Sequence, residues 1–166
     1  MRILGIDPGF ERLGIAVLEK LPASAQGGGE ARKEKVLFSE CFKTSSKLEF
    51  GERLVLIGEE TRKIIKKYQP EVLSIETLFL NINQKTVMHV AEARGVVIYE
   101  AANAGIKIFE ATPLQIKVAT TGYGRADKAQ VMKMIKILVK TDENKTSDDE
   151  LDAIAIALTA FAYKRG

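Results

Sequence analysis

The hydrophobic pattern of this chain changes character once, after about residue 43, and that change limits the folds open to it more than any other feature. Before it come three segments rich in strand formers with no helical spacing among them. ILGID and LGIAVLEK flank Asp7-Pro8-Gly9, a turn signal in which Pro presets φ and Gly accepts positive φ, so a β-hairpin should open the fold. A third strand is expected over 36–42. Residues 21–35 (LPASAQGGGEARKEK) hold a Gly triplet among small and charged residues and read as a long flexible loop of no legible function. After the change, Leu54, Ile57, Ile64 and Ile65 fall at helical spacing. That helix, the strand EVLSIE, a long helix over 84–104, the strand IKIFEA and further helices then alternate. Three strands in a row followed by alternation predict an α/β domain with a mixed sheet.

A length of 166 residues suits a single domain over 1–166 with a sizeable core. Apolar residues make up 46% and charged residues 28%, with both signs mixed, which excludes a disordered tail. No run is long enough to span a bilayer, so no membrane partner is expected. MRILGID enters a turn at once and lacks a secretory apolar region and cleavage site, so a cytoplasmic location is expected. Cys41 is alone, which rules out a disulfide framework, and it reads as buried strand packing rather than a nucleophile. A net charge of +3 and a pI near 8.9 are compatible with a nucleic-acid partner without announcing one.

Four acids interrupt the apolar framework: Asp7, Glu76, Asp149 and Asp152. Clustered carboxylates bind hard divalent cations, and two such cations drive phosphodiester hydrolysis without a nucleophilic side chain. Each acid also has an ordinary reading. Asp7 is a favoured first residue of a β-turn. Yet Ile3, Gly5 and Asp7 share one face of a strand that reads as central, where a carboxylate costs free energy unless something pairs with it, and a metal is one such partner. Glu76 follows an apolar run, but period-two alternation allows it to point to solvent, and taken alone that is the better reading.

The C-terminal pair says more. Ser147 and Glu150 fit the capping-box spacing, which starts a helix there and puts Asp149 in its first turn. At about 100° per residue, Asp149 and Asp152 fall on adjoining positions of one face, opposite Leu151, Ile154, Leu158 and Phe161. Ile156 and Ala160 continue the acidic side. The helix is therefore apolar nearly all round beyond its first turns, and its acidic end should lie at the rim of a core. Acids in a first turn also favour the helix dipole, which accounts for Asp149 as well as a site does.

With these residues in view the chain resembles the RuvC family of Holliday junction resolvases. GIDPG near the start, Ile75-Glu76 followed by Phe79, Ala93-Arg94-Gly95, GRADK at 124–128 and DELDAIAIA at 149–157 occur in the family's order over nearly the whole length. Each fragment is weak alone; their order is specific. The 21–35 segment and Phe10-Glu11-Arg12 depart from the family pattern. The resemblance implies a ribonuclease-H-like mixed sheet flanked by helices, a homodimer, and endonuclease action on four-way DNA junctions with Mg²⁺ or Mn²⁺, two ions per active site. Asp7, Glu76, Asp149 and Asp152 take the positions of the family's catalytic, metal-holding carboxylates. Paired nicks from two sites would convert one junction into two nicked duplexes, with 3′-hydroxyl and 5′-phosphate ends. Family relatives also work with a branch-migration complex, a further expected partner.

The remaining positions carry expectations of their own. Lys117 and Lys128 match family lysines near the scissile phosphate, and Phe79 matches an aromatic that contacts junction bases; for an isolated Lys or Phe the ordinary readings are a solvated charge and a core side chain. Gly122-Tyr123-Gly124-Arg125 precedes a helix and can offer backbone amides to a phosphate, with Tyr123 and Arg125 as DNA contacts, or can be a plain turn. Arg62, Lys63, Lys66 and Lys67 on one helix, and Lys133, Lys136 and Lys140 on another, form either a phosphate-facing surface or solvated faces. His89 reads as a surface or satisfied residue. Two rival functions remain open: an actin-like or sugar-kinase-type ATP-binding fold, whose strand-Asp-x-Gly turns also handle phosphate, and a junction-binding module without catalysis. Length and the lack of a Walker-type loop weigh against the first, and the presence of all four acids against the second.

Overall fold

The computed structural model describes residues 1–20, 34–78, 84–139 and 146–163, with the backbone alone at 84 and 85. Strands β1 (Arg2–Asp7), β2 (Arg12–Lys20), β3 (Glu34–Lys43), β4 (Val72–Glu76) and β5 (Lys107–Ala111) form one sheet in the order β3-β2-β1-β4-β5. The hairpin β1–β2 and the pair β2–β3 are antiparallel, while β4 lies parallel to β1 and β5 parallel to β4. The helices are α1 (Phe50–Tyr68), α2 (Gln84–Asn103), α3 (Pro113–Thr121), α4 (Lys128–Leu138) and α5 (Asp148–Tyr163).

The mixed α/β sheet agrees with the expectation from the alternating pattern, and β1 is its middle strand. The third strand begins at Glu34, so the last two residues of the expected 21–35 loop belong to β3; 21–33 lie outside the described residues. Hairpin register pairs Asp7 with Gly14, and β2 to β3 register pairs Gly14 with Cys41.

Both faces of the sheet are covered. Leu4, Ile6, Leu13, Ile15, Val17, Leu73 and Ile75 pack with Ile57, Ile64 and Val97 of α1 and α2. On the other face Ile3, Ala16, Leu18 and Val72 pack with α5 and with Val131 and Ile135 of α4. Every residue of α5 from Ala153 to Phe161 is buried, which accounts for a helix that is apolar all round. Two glycines let it come this close: a Cβ on Gly5 would stand 2.2 Å from the Ala153 carbonyl oxygen, and one on Gly14 would stand 2.2 Å from that of Asp149. Buried Ser74 fixes the helix further by donating to the Ile156 carbonyl at 2.7 Å. Its start is set as the sequence indicates, with Glu150 accepting from Ser147 N at 3.0 Å and Ser147 Oγ accepting from Glu150 N at 3.4 Å.

Candidate active site

Asp7 and Glu76 are the last residues of β1 and β4, and the parallel register that pairs Ile6 with Ile75 brings them side by side on neighbouring strands. Strand spacing puts their backbones about 5 Å apart. Both stand on the α5 face, since Leu4, Ile6, Leu73 and Ile75 occupy the other. Solvent is therefore not where Glu76 points: it is half-buried, and Arg94 donates to its carbonyl at 3.0 Å while pairing with Glu110. Neither the Asp7 nor the Glu76 carboxylate has a hydrogen-bond or ion-pair partner among the described residues.

The first two turns of α5 complete the acidic group. Asp149 is ion-paired with Arg12 and accepts from the Cys41 thiol at 3.3 Å. Asp152 accepts from Lys128 Nζ at 3.1 Å, and Lys128 stands 3.8 Å from Asp148. Ser39 Oγ donates to Glu150 at 2.6 Å. Arg12, Gly14 and Ala16 alternate onto the α5 face of β2, and their partners Lys43, Cys41 and Ser39 do so on β3. Register alone thus gathers Arg12, Cys41 and Ser39 against the start of α5, a role no motif announced for any of them. Their legible signal was Gly14, which marks where a backbone approaches β2.

The electrostatics follow from this crowding. Asp7 is pushed up to about 7, first by burial and then by repulsion from Asp152, Glu76 and Asp149, with Lys128 opposing. Burial also raises Glu76 and Asp152, the latter against the pull of Lys128. The Lys128 ammonium is held above its ordinary value by the hydrogen bond to Asp152. Burial, then the contact with Asp149, raises the Cys41 thiol.

As the side chains stand, no three metal-ligating side chains among the described residues converge at ligand distance, Asp149 being turned to Arg12 and Asp152 to Lys128. The donor set nevertheless suits a hard divalent cation. It offers oxygen only, two of its carboxylates are unpartnered, and its mutual repulsion is what a cation relieves.

Lys128 is the expected basic residue that meets the acids. Lys117 is half-buried on α3, which packs against α5, and makes no ion pair with a described acid. Tyr123 and Arg125 are exposed in the turn before α4, where Gly122 takes a φ of 74° to end α3 and Asp127 caps α4. Phe79 and Lys140 lie outside the described residues. His89, expected to be a surface or satisfied residue, is half-buried, stacks on Phe50 with centroids 4.1 Å apart and meets Phe10 edge-on. Arg62 pairs with Glu100 and Lys63 with Glu60. Their end of α1 lies by Arg2, which donates to the Tyr68 carbonyl, and so at the end of the sheet opposite Asp7.

A mixed sheet whose middle strand and parallel neighbour both end in acids, faced by an acidic helix start, defines the class as a ribonuclease-H-like nuclease fold. The family profile described as crossover junction endodeoxyribonuclease RuvC matches residues 3–160, and the chain belongs to that family. The RuvC of Finegoldia magna is 43% identical over 95% of this chain and 91% of its own, and that of Halothermothrix orenii 42% over 95% and 90%. The structure of T. thermophilus RuvC in complex with Holliday junction substrate superimposes with a TM-score of 0.88 at 30% identity, covering 99% of this chain and 95% of that one.

Proposed function

We propose that this chain resolves four-way DNA junctions by divalent-metal-assisted phosphodiester hydrolysis, with Asp7, Glu76, Asp149 and Asp152 as the metal-holding carboxylates. The observation that carries the reading is the pairing of Asp7 and Glu76, adjacent and unpartnered, beneath the acids of α5 in a chain of the RuvC family. Mg²⁺ is the natural ion for this all-oxygen set and Mn²⁺ a substitute, two per site. Bound ions supply an activated water and stabilise the departing 3′ oxygen.

The chain's own groups do the rest. Asp7 must be ionised to hold a cation. Lys128, anchored at the first position of α4, moderates the charge around Asp152 and would meet a phosphate oxygen. Lys117 would add a second cation. Tyr123 and Arg125 flank the same turn and would contact the DNA backbone, while Phe79 would meet a junction base. A homodimer would carry two such sites and make paired nicks leaving 3′-hydroxyl and 5′-phosphate ends, in the cytoplasm and in concert with a branch-migration complex. No helix among the described residues is long and apolar enough to cross a membrane. The named relatives are endonucleases along nearly the whole chain, which gives no support to an ATP-binding fold or a module without catalysis.

The test is a gel assay on a synthetic four-way junction with Mg²⁺ or chelator. Metal-dependent paired nicks, lost in Asp7→Asn with junction binding retained, are expected; binding with no cleavage under Mg²⁺ or Mn²⁺ refutes the catalytic reading, and equal cutting of linear duplex refutes structure selectivity.

A further inference from the structure

Arg12 sits at the acidic site without a role in the chemistry above. It opens β2 two residues before Gly14, the position whose missing side chain admits the first turn of α5. Period-two alternation places Arg12 and Gly14 on one face, so the guanidinium emerges directly beside Asp149 and pairs with its Oδ2. The same oxygen takes the Cys41 thiol at 3.3 Å.

We propose that Arg12 is a resident counter-ion of the metal site, holding Asp149 in an internal ion pair that competes with a divalent cation for this carboxylate. The inference rests on the metal reading of the four acids. Asp149 Oδ2 cannot serve a guanidinium and a divalent cation at the same time without setting two positive charges against each other at contact distance. Displacement is mechanically easy, because the Arg12 side chain is 53% exposed and that of Asp149 23%, so the arm swings into solvent without opening the core. Lys128 does not stand in for it, since its Nζ contacts are to Asp152 and Asp148. Metal loading of the free protein is therefore opposed by the chain itself. By linkage, the factor by which the Arg12–Asp149 pair weakens metal binding is also the factor by which bound metal weakens the pair.

The experiment titrates Mn²⁺ alone into the metal-stripped full chain without DNA, reading free Mn²⁺ by electron paramagnetic resonance. Arg12→Gln should bind Mn²⁺ about fivefold tighter than the parent chain, the scale of an exposed ion pair. Arg12→Lys, which keeps a cation in reach, should stay near the parent value and guards against a folding artefact in the first variant. Lys43→Gln removes a charge from the position strand-paired with Arg12 that makes no ion pair with Asp149, and should shift affinity by less than half as much. Unchanged affinity in Arg12→Gln, or an equal effect of Lys43→Gln, overturns the counter-ion role. Absence of any Mn²⁺ binding that Asp7→Asn abolishes overturns instead the metal reading beneath it.

Discussion

In the metal-free protein Asp7 contributes least to stability at the pH where its ionised form is needed. Its carboxyl titrates at about 7 in the fold against 3.8 in an open chain, so the folded state holds the proton more tightly. The sign follows: the stabilisation from protonated Asp7 is present at low pH and is lost as pH rises through about 7. At about 1.4 kcal/mol per pH unit, the rise corresponds to about 4 kcal/mol in full, of which about 2 to 3 kcal/mol falls between pH 5 and pH 8. Asp7→Asn removes the titration. It also buries an amide with little to bond, at a cost of about 1 to 3 kcal/mol that does not vary with pH. The pH slope, rather than the absolute stability, is therefore the test. Urea unfolding in chelator at pH 5 and pH 8 should show the parent chain losing about 2 kcal/mol more than Asp7→Asn across the interval, with Mg²⁺ restoring the parent at pH 8 and the variant much less. Parallel pH profiles for the two proteins would refute the claim that burial and acid repulsion at Asp7 are strong.

Two substitutions probe the frame around the acids. Gly14→Ala puts a Cβ 2.2 Å from the Asp149 carbonyl oxygen, which must displace the first turn of α5; a shift near 1 Å should cut junction cleavage about 100-fold, with far-UV circular dichroism unchanged. Full activity there would show that the acids of α5 tolerate movement. Lys128→Gln removes the cation bonded to Asp152; cleavage should fall about 100-fold or more while junction binding in chelator, read by gel shift, changes less than tenfold. A matching loss of binding and cleavage would recast Lys128 as a DNA anchor alone.

How far the site was legible depends on the range of the interaction that builds it. Asp-Pro-Gly and the Ser147/Glu150 spacing are local signals, and they placed the hairpin and the start of α5 correctly. Alternation along β4 could not place Glu76, because the sheet is covered on both faces and period two then separates one core from the other instead of core from solvent. Arg12 and Asp149 are 137 residues apart, and their meeting is fixed by hairpin register and by a glycine, neither of which names a partner. The resemblance put Lys128 near the scissile phosphate, but its bond to Asp152 was not legible, since a lone Lys at a helix start is usually solvated.

The Cα positions of the acids are set by backbone packing and not by contacts to their carboxylates. β1 and β4 fix Asp7 and Glu76 through strand register. α5 is fixed by Gly5 and Gly14, by Ser74 on the Ile156 carbonyl, and by a surface buried from Ala153 to Phe161. The carboxylates themselves are left unpaired or matched with exposed, exchangeable partners, Arg12 and Lys128. Such a division suits a site whose ligands must change partners when cations arrive, because the groups that move are side-chain termini while the Cα positions stay where packing sets them. It also concentrates repulsive charge at the rim of the best-packed helix, where the surrounding burial offsets a cost that a loop would not withstand. The same helix thus secures the core and carries the chemistry.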